Sequence, residues 1–141
     1  MPDDVQVSDA AHEATTNGFS ARLTIPAASR YLRLARLTAA GLAGDVGFRV
    51  DAVEDLRVAV DELSALIIED AAEGTLLELT YREHGAGLVI EGCCPTDDEV
   101  APELHRVARE LLQIVADEYQ VELVDGCRRF RLLKRADSSS V

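Results

Sequence analysis

Residues 51–68 read DAVEDLRVAVDELSALII, from Asp51 to Ile68, and the choice of fold turns on this stretch. Val53, Leu56, Val60, Leu63 and Ile67 recur at alternating steps of three and four, which draws one apolar stripe along a helix. Asp51, with Glu54 three residues on, has the look of a capping box and marks the start. Gly74 is expected to close the helix. Asp61 and Glu62 sit in the middle of this apolar run. They are either chemical equipment or the solvated edge of an ordinary core helix.

Working outward, Phe19 to Ile25 alternates apolar and polar residues as a half-buried strand does, and Pro26 ends it. Ser29 is placed to cap a first helix running through Leu42, with Gly41 and Gly44 at its exit. Beyond Gly74, strands are predicted at Leu76–Tyr81 and Leu88–Glu91 around a turn at Glu83–Gly87. A third helix is predicted from Asp98 to Asp117, carrying Leu104, Val107, Leu111, Ile114 and Val115. Two last strands, Tyr119–Leu123 and Arg128–Leu133, flank a turn at Val124–Cys127. The order is βααββαββ, without an internal repeat. It predicts an α/β two-layer sandwich, with a mainly antiparallel mixed sheet and three helices on one face. Residues 1–18 read as a disordered acidic tail, 19–134 as a single domain and 135–141 as a polar C-terminal tail.

Composition narrows the function. The 141 residues hold 14 Lys plus Arg against 26 Asp plus Glu, a formal net charge of −12. Such a surface repels a phosphate backbone, so nucleic acid is an unfavoured partner and a protein a better one. No apolar run reaches the ~20 residues that span a bilayer, and the first residues lack a basic and apolar signal pattern. A cytoplasmic location without membrane attachment is expected. Cys93, Cys94 and Cys127 form an odd, ill-spaced set with no CxxC, so reduced thiols are expected and no metal site is assigned to them or to His84 and His105.

Three stretches carry a family resemblance: Tyr31–Arg36 (YLRLAR), Val53–Glu62 (VEDLRVAVDE) and Ala116–Glu122 (ADEYQVE), together with the closing strand. Over roughly Phe19 to Lys134 the chain resembles the bacterial anti-sigma-factor and serine-protein-kinase family of the GHKL superfamily, the histidine-kinase-like ATPases with a Bergerat-type fold. The VEDLRVAVDE segment is the most specific part.

The resemblance implies a nucleotide site, and the residues at its positions depart from what the chemistry needs. Family members place a Glu and an Asn four residues apart on one face of the second helix. The Asn helps hold Mg²⁺ against the phosphates, and the Glu serves as general base in phosphoryl transfer. Glu62 takes the Glu position, as a vestigial general base. Leu66 takes the Asn position and offers no oxygen to a metal. The adenine box, Asp-x-Gly-x-Gly in the family, corresponds to Ile90–Pro95, where Glu91 and Gly92 are its degenerate remnants and Cys93, Cys94 and Pro95 replace permissive glycines. The second glycine box falls near Asp97 to Arg109, a stretch with no glycine and four acidic residues.

By the same resemblance, no cofactor is required and ATP with Mg²⁺ is doubtful. The partners implied are a sigma factor or an anti-anti-sigma protein, contacted through Arg30 and Arg33 on the first helix, and a second copy in a homodimer. The setting implied is transcription regulation in a stress response. Two alternatives stay open: an ATP-dependent serine kinase acting on an anti-anti-sigma partner, and a subunit whose fold serves dimerisation alone. The plain reading of Arg30, Arg33 and Arg36 is a solvated helix face.

Overall fold

The computed structural model describes residues 18–137. Strand β1 spans Ser20–Pro26, and a 3₁₀ turn at Ser29–Tyr31 leads into helix α1, Leu32–Val46. Helix α2 follows at Val50–Ile68, then β2 at Leu76–His84 and β3 at Gly87–Pro95. Helix α3 spans Arg106–Val115, β4 Glu118–Val124 and β5 Cys127–Arg135. The order agrees with the sequence expectation, and so does the two-layer α/β architecture. Of the expected tails, residues 1–17 and 138–141 lie outside the described residues, while Arg135 closes β5.

The five strands lie in the order β1-β2-β3-β5-β4, and every ladder is antiparallel. The mixed character expected for the sheet is therefore not found among the described residues. Two helices return the chain from β1 so that β2 runs against it. Helix α3 carries the chain past β5's place to the edge strand β4, and a tight hairpin then brings β5 back between β4 and β3. Its turn, Asp125–Gly126, has positive φ at both residues (51° and 76°), as a type I′ turn demands.

Strand alternation decides which side chains meet the helices. Leu77, Leu79 and Tyr81 of β2, Leu88 and Ile90 of β3, and Phe130 and Leu132 of β5 are buried in one cluster. They meet Ala35, Ala39 and Ala43 of α1 and Leu56, Ala59, Val60, Leu63 and Ile67 of α2. The Tyr81 hydroxyl donates to the Ala35 carbonyl at 3.1 Å, which lets a polar atom sit in this core. Burial pushes the Tyr81 pKa up. Two charges are buried as well: Lys134 donates to Asp55 at 3.4 Å, joining β5 to α2 beneath the sheet.

Boundaries moved where backbone chemistry overrode the pattern. Helix α1 runs past Gly41 and Gly44 to Gly47, whose φ of 99° makes the left-handed cap. The Gly47 amide donates to Ala43 and Gly44, and the Phe48 amide to Ala43, which closes a Schellman motif over the buried Phe48. The N-cap of α2 is Arg49 and no side chain caps it, so the Asp51–Glu54 box does not form; Asp51 lies within the first turn. That helix stops at Ile68, well short of Gly74, and Asp70 takes the left-handed conformation (φ 62°). Helix α3 starts eight residues later than expected. Pro102 disfavours the helical conformation at Ala101, and His105 is extended (φ −65°, ψ 157°).

The face of the sheet away from the helices carries a charged ladder beside a buried Val89–Leu133 pair. Glu91 accepts from Arg82 at 3.2 Å and pairs with Arg131 at 3.7 Å, a three-strand ladder across β2, β3 and β5. Arg22 of the edge strand β1 and Glu78 of β2 pair at 3.8 Å.

Candidate functional site

Helix α2 presents its exposed flank to the segment that leads into α3. Between them lies a cleft of ≈ 140 Å³, lined by Glu62, Ala65, Leu66 and Glu69 from α2 and by Leu104, His105 and Ala108 opposite. The four-residue step from Glu62 to Leu66 puts both side chains into the same cleft, as helical geometry requires. Its floor is apolar, made by Ala65, Leu66, Leu104 and Ala108, and its rim carries Glu62, Glu69 and His105. No group of three or more metal-ligating side chains stands together among the described residues. Leu66 contributes hydrocarbon alone to this lining.

The two carboxylates in the middle of α2 have different tasks. Asp61 accepts from Arg36 at 2.5 Å, so it ties α2 to α1. Glu62 has no such tether and lines the cleft. The other expected site residues are not brought there. Glu91 points to the helix-free face and is held by Arg82 and Arg131. Gly92 lies on the core side of β3, where a Cβ would stand 2.4 Å from the Phe130 ring, so its glycine serves packing against β5.

Arg30 and Arg33 are exposed at the start of the helical layer. The Arg30 guanidinium lies 4.8 Å from the centre of the Tyr31 ring, and Arg33 donates to the Arg30 carbonyl at 2.8 Å. Both are held in place by neighbours on the same segment, which leaves a fixed cationic corner beside Tyr31.

The residue that the sequence reading missed is Arg128. It donates to the Glu69 carbonyl at 2.6 Å, at the end of α2, and forms an ion pair with Asp98. One guanidinium therefore fastens the acidic 96–105 connection to the end of α2 and to β5. A larger hollow of ≈ 460 Å³ adjoins this strap, lined by Asp70, Thr75, Thr96, Asp97, Asp98 and Gly126 among others. The signal for Arg128 was present: it shares strand parity with Phe130 and Leu132, which the alternation turns inward.

No family model matches the chain. It is 36% identical over 58 residues to the serine-protein kinase RsbW of Bacillus cereus, an overlap covering 41% of this chain and 36% of that relative. The same figures hold for the serine-protein kinase RsbW of Bacillus mycoides. For that of Bacillus thuringiensis, identity is 39% over 49 residues, covering 35% of this chain and 31% of the relative. The chain thus matches between 31% and 36% of the length of these curated relatives. The resemblance to the anti-sigma-factor and serine-kinase family stands as similarity over that part of the chain. No helix among the described residues is long and apolar enough to cross a membrane.

Proposed function

We propose that this chain is an anti-sigma-like regulator that acts by binding protein, a sigma factor or an anti-anti-sigma antagonist, with its nucleotide chemistry weakened or lost. One observation carries the reading: Leu66 shares an apolar-floored cleft with Leu104, beside the carboxylates of Glu62 and Glu69. A cation such as Mg²⁺ takes oxygen ligands, and hydrocarbon at that place supplies none. The cleft's ≈ 140 Å³ is also below the ~300 Å³ at which small-molecule sites begin. Binding falls instead to the exposed cationic corner of Arg30 and Arg33, whose planar forks suit carboxylates on a partner. A homodimer is part of this proposal, in keeping with the family resemblance.

Titration calorimetry with ATP, with and without Mg²⁺, tests the nucleotide half. No magnesium-dependent micromolar binding is expected, and such binding would overturn the reading. Affinity capture with the purified chain tests the other half: recovery of neither a sigma factor nor an antagonist counts against it. The second reading is an ATP-dependent serine kinase of an anti-anti-sigma protein. Glu62 lining the cleft favours it, as does the name serine-protein kinase carried by the relatives. Transfer of labelled phosphate from ATP to such a protein would establish it.

A further inference from the structure

The helix-free face of the sheet holds a feature that protein binding leaves unused. Strand register sets Cys93 of β3 opposite Arg129 and sets Cys127 of β5 opposite Pro95. The two cysteines are therefore diagonal neighbours on adjacent strands and share one face. Both side chains are partly exposed, whereas Cys94, between Cys93 and Pro95, is buried on the opposite face.

The diagonal placement decides what the pair can do. A disulfide brings two sulfurs to about 2.0 Å and two Cβ atoms to about 3.8 Å. Diagonal neighbours stand about 7–8 Å apart at Cα, too far for that bond without moving a strand. A single bridging ion with metal–sulfur bonds of about 2.3 Å lets the sulfurs stay roughly twice as far apart as a disulfide does. Zinc fills four positions, and no third ligand of its kind joins this pair among the described residues. Soft sulfur ligands select Cu(I), a monovalent ion that two thiolates satisfy.

We propose that Cys93 and Cys127 form a two-coordinate site for a soft monovalent cation of the Cu(I) kind, on the open face of the sheet. Each thiol gives its proton to solvent, each sulfur donates a lone pair to the ion, and copper keeps its oxidation state. The resulting bis-thiolate carries one net negative charge, and the Arg129 guanidinium beside Cys93 offsets it against the nearby Glu78 carboxylate. A thiol ordinarily titrates above neutral pH, so metal uptake at neutral pH releases protons. Cys127 directly follows Gly126, whose carbonyl accepts from the Thr96 amide at 2.9 Å, so the ion also braces the rim of the larger hollow.

The test is an anaerobic titration of the reduced full chain with Cu(I) in competition with bicinchoninate, with the released protons counted. One copper per chain and about two protons per copper are expected. Cys93→Ser and Cys127→Ser should each weaken binding more than about 100-fold, beyond the cost of losing a supporting outer contact. Cys94→Ser should leave both figures unchanged. Copper left wholly with the chelator, binding that survives Cys127→Ser, or a chain isolated 2 Da light with its disulfide formed would each overturn the proposal. Should the serine variants fail to fold, X-ray absorption of the copper-loaded wild type decides. Two sulfur neighbours support the site, and nitrogen, oxygen or a third sulfur around the metal overturns it.

Discussion

Leu66 is the residue on which the nucleotide question rests, and exchanging it for an amide is the sharpest single test. Leu66→Asn places an oxygen donor one turn from Glu62 in the same cleft. Any residual affinity for Mg²⁺·ATP should rise, as read by calorimetry, with the fold checked by circular dichroism. An unchanged affinity would mean that the cleft fails for reasons beyond its missing ligand, the displaced Glu91 and the glycine-free 97–109 stretch among them. Tyr81 and Cys93 make a second prediction. Both groups have pKa values raised by burial, so the folded state holds their protons more tightly than the unfolded chain does. This contribution to stability is complete below the ordinary thiol pKa near 8.5 and is lost as pH rises from there toward about 12. Denaturant midpoints should fall across that alkaline range. Cys93→Ser should flatten the fall, and a midpoint independent of pH above 9 would contradict the argument.

Among the elements, α1 depends on the way it ends. Gly47 is the single residue in its Schellman turn with φ near 99°, and a Cβ there meets no neighbouring atom. Gly47→Ala therefore isolates the cost of the left-handed conformation, about 1 kcal/mol of stability by chemical denaturation. Gly41→Ala and Gly44→Ala, inside the same helix, should instead stabilise by up to about 1 kcal/mol, since glycine is the poorer helix former. This contrast also shows what the sequence made legible. Apolar periodicity placed all three α-helices and all five strands in order, because burial of a stripe or an alternate face is a local pattern. It misplaced the ends, because Gly41, Gly44 and Gly47 look alike until the chain direction after the helix is known. The cleft was half legible: Glu62 and Leu66 lie four apart on one helix, but Leu104, His105 and Arg128 reach the region only through the order in which β5 inserts beside β3. Glu91 was misjudged for the same reason. In β3 its parity turns it away from the helices, and parity is fixed by register, which the motif did not supply.

At the scale of the whole molecule, the layers are joined by a buried ion pair as well as by hydrocarbon. Lys134 is almost wholly inaccessible and meets Asp55, 79 residues earlier in the chain. Lys134→Met strips Asp55 of this partner in a low-dielectric place, and a loss of roughly 3–5 kcal/mol is expected from denaturation curves. The double change Asp55→Leu with Lys134→Met should recover most of that loss, and a double variant as unstable as the sum of the two single ones would refute the pairing argument. The charged face of the sheet has a consequence of a different order. Arg22, Arg82, Arg129, Arg131 and Arg135, five of the chain's 14 basic residues, gather there against Glu78, Glu91, Glu118 and Glu122. That side is close to electrically neutral, so the excess of negative charge resides with the helices, the connections and the terminal segments. Among the described residues that excess is densest in two connections, Glu69, Asp70 and Glu73 after α2 and Asp97, Asp98, Glu99 and Glu103 before α3, and Asp70, Asp97 and Asp98 line the larger hollow. In the field of a positively charged surface the molecule experiences a torque as well as an attraction, and it turns these connections forward before contact is made.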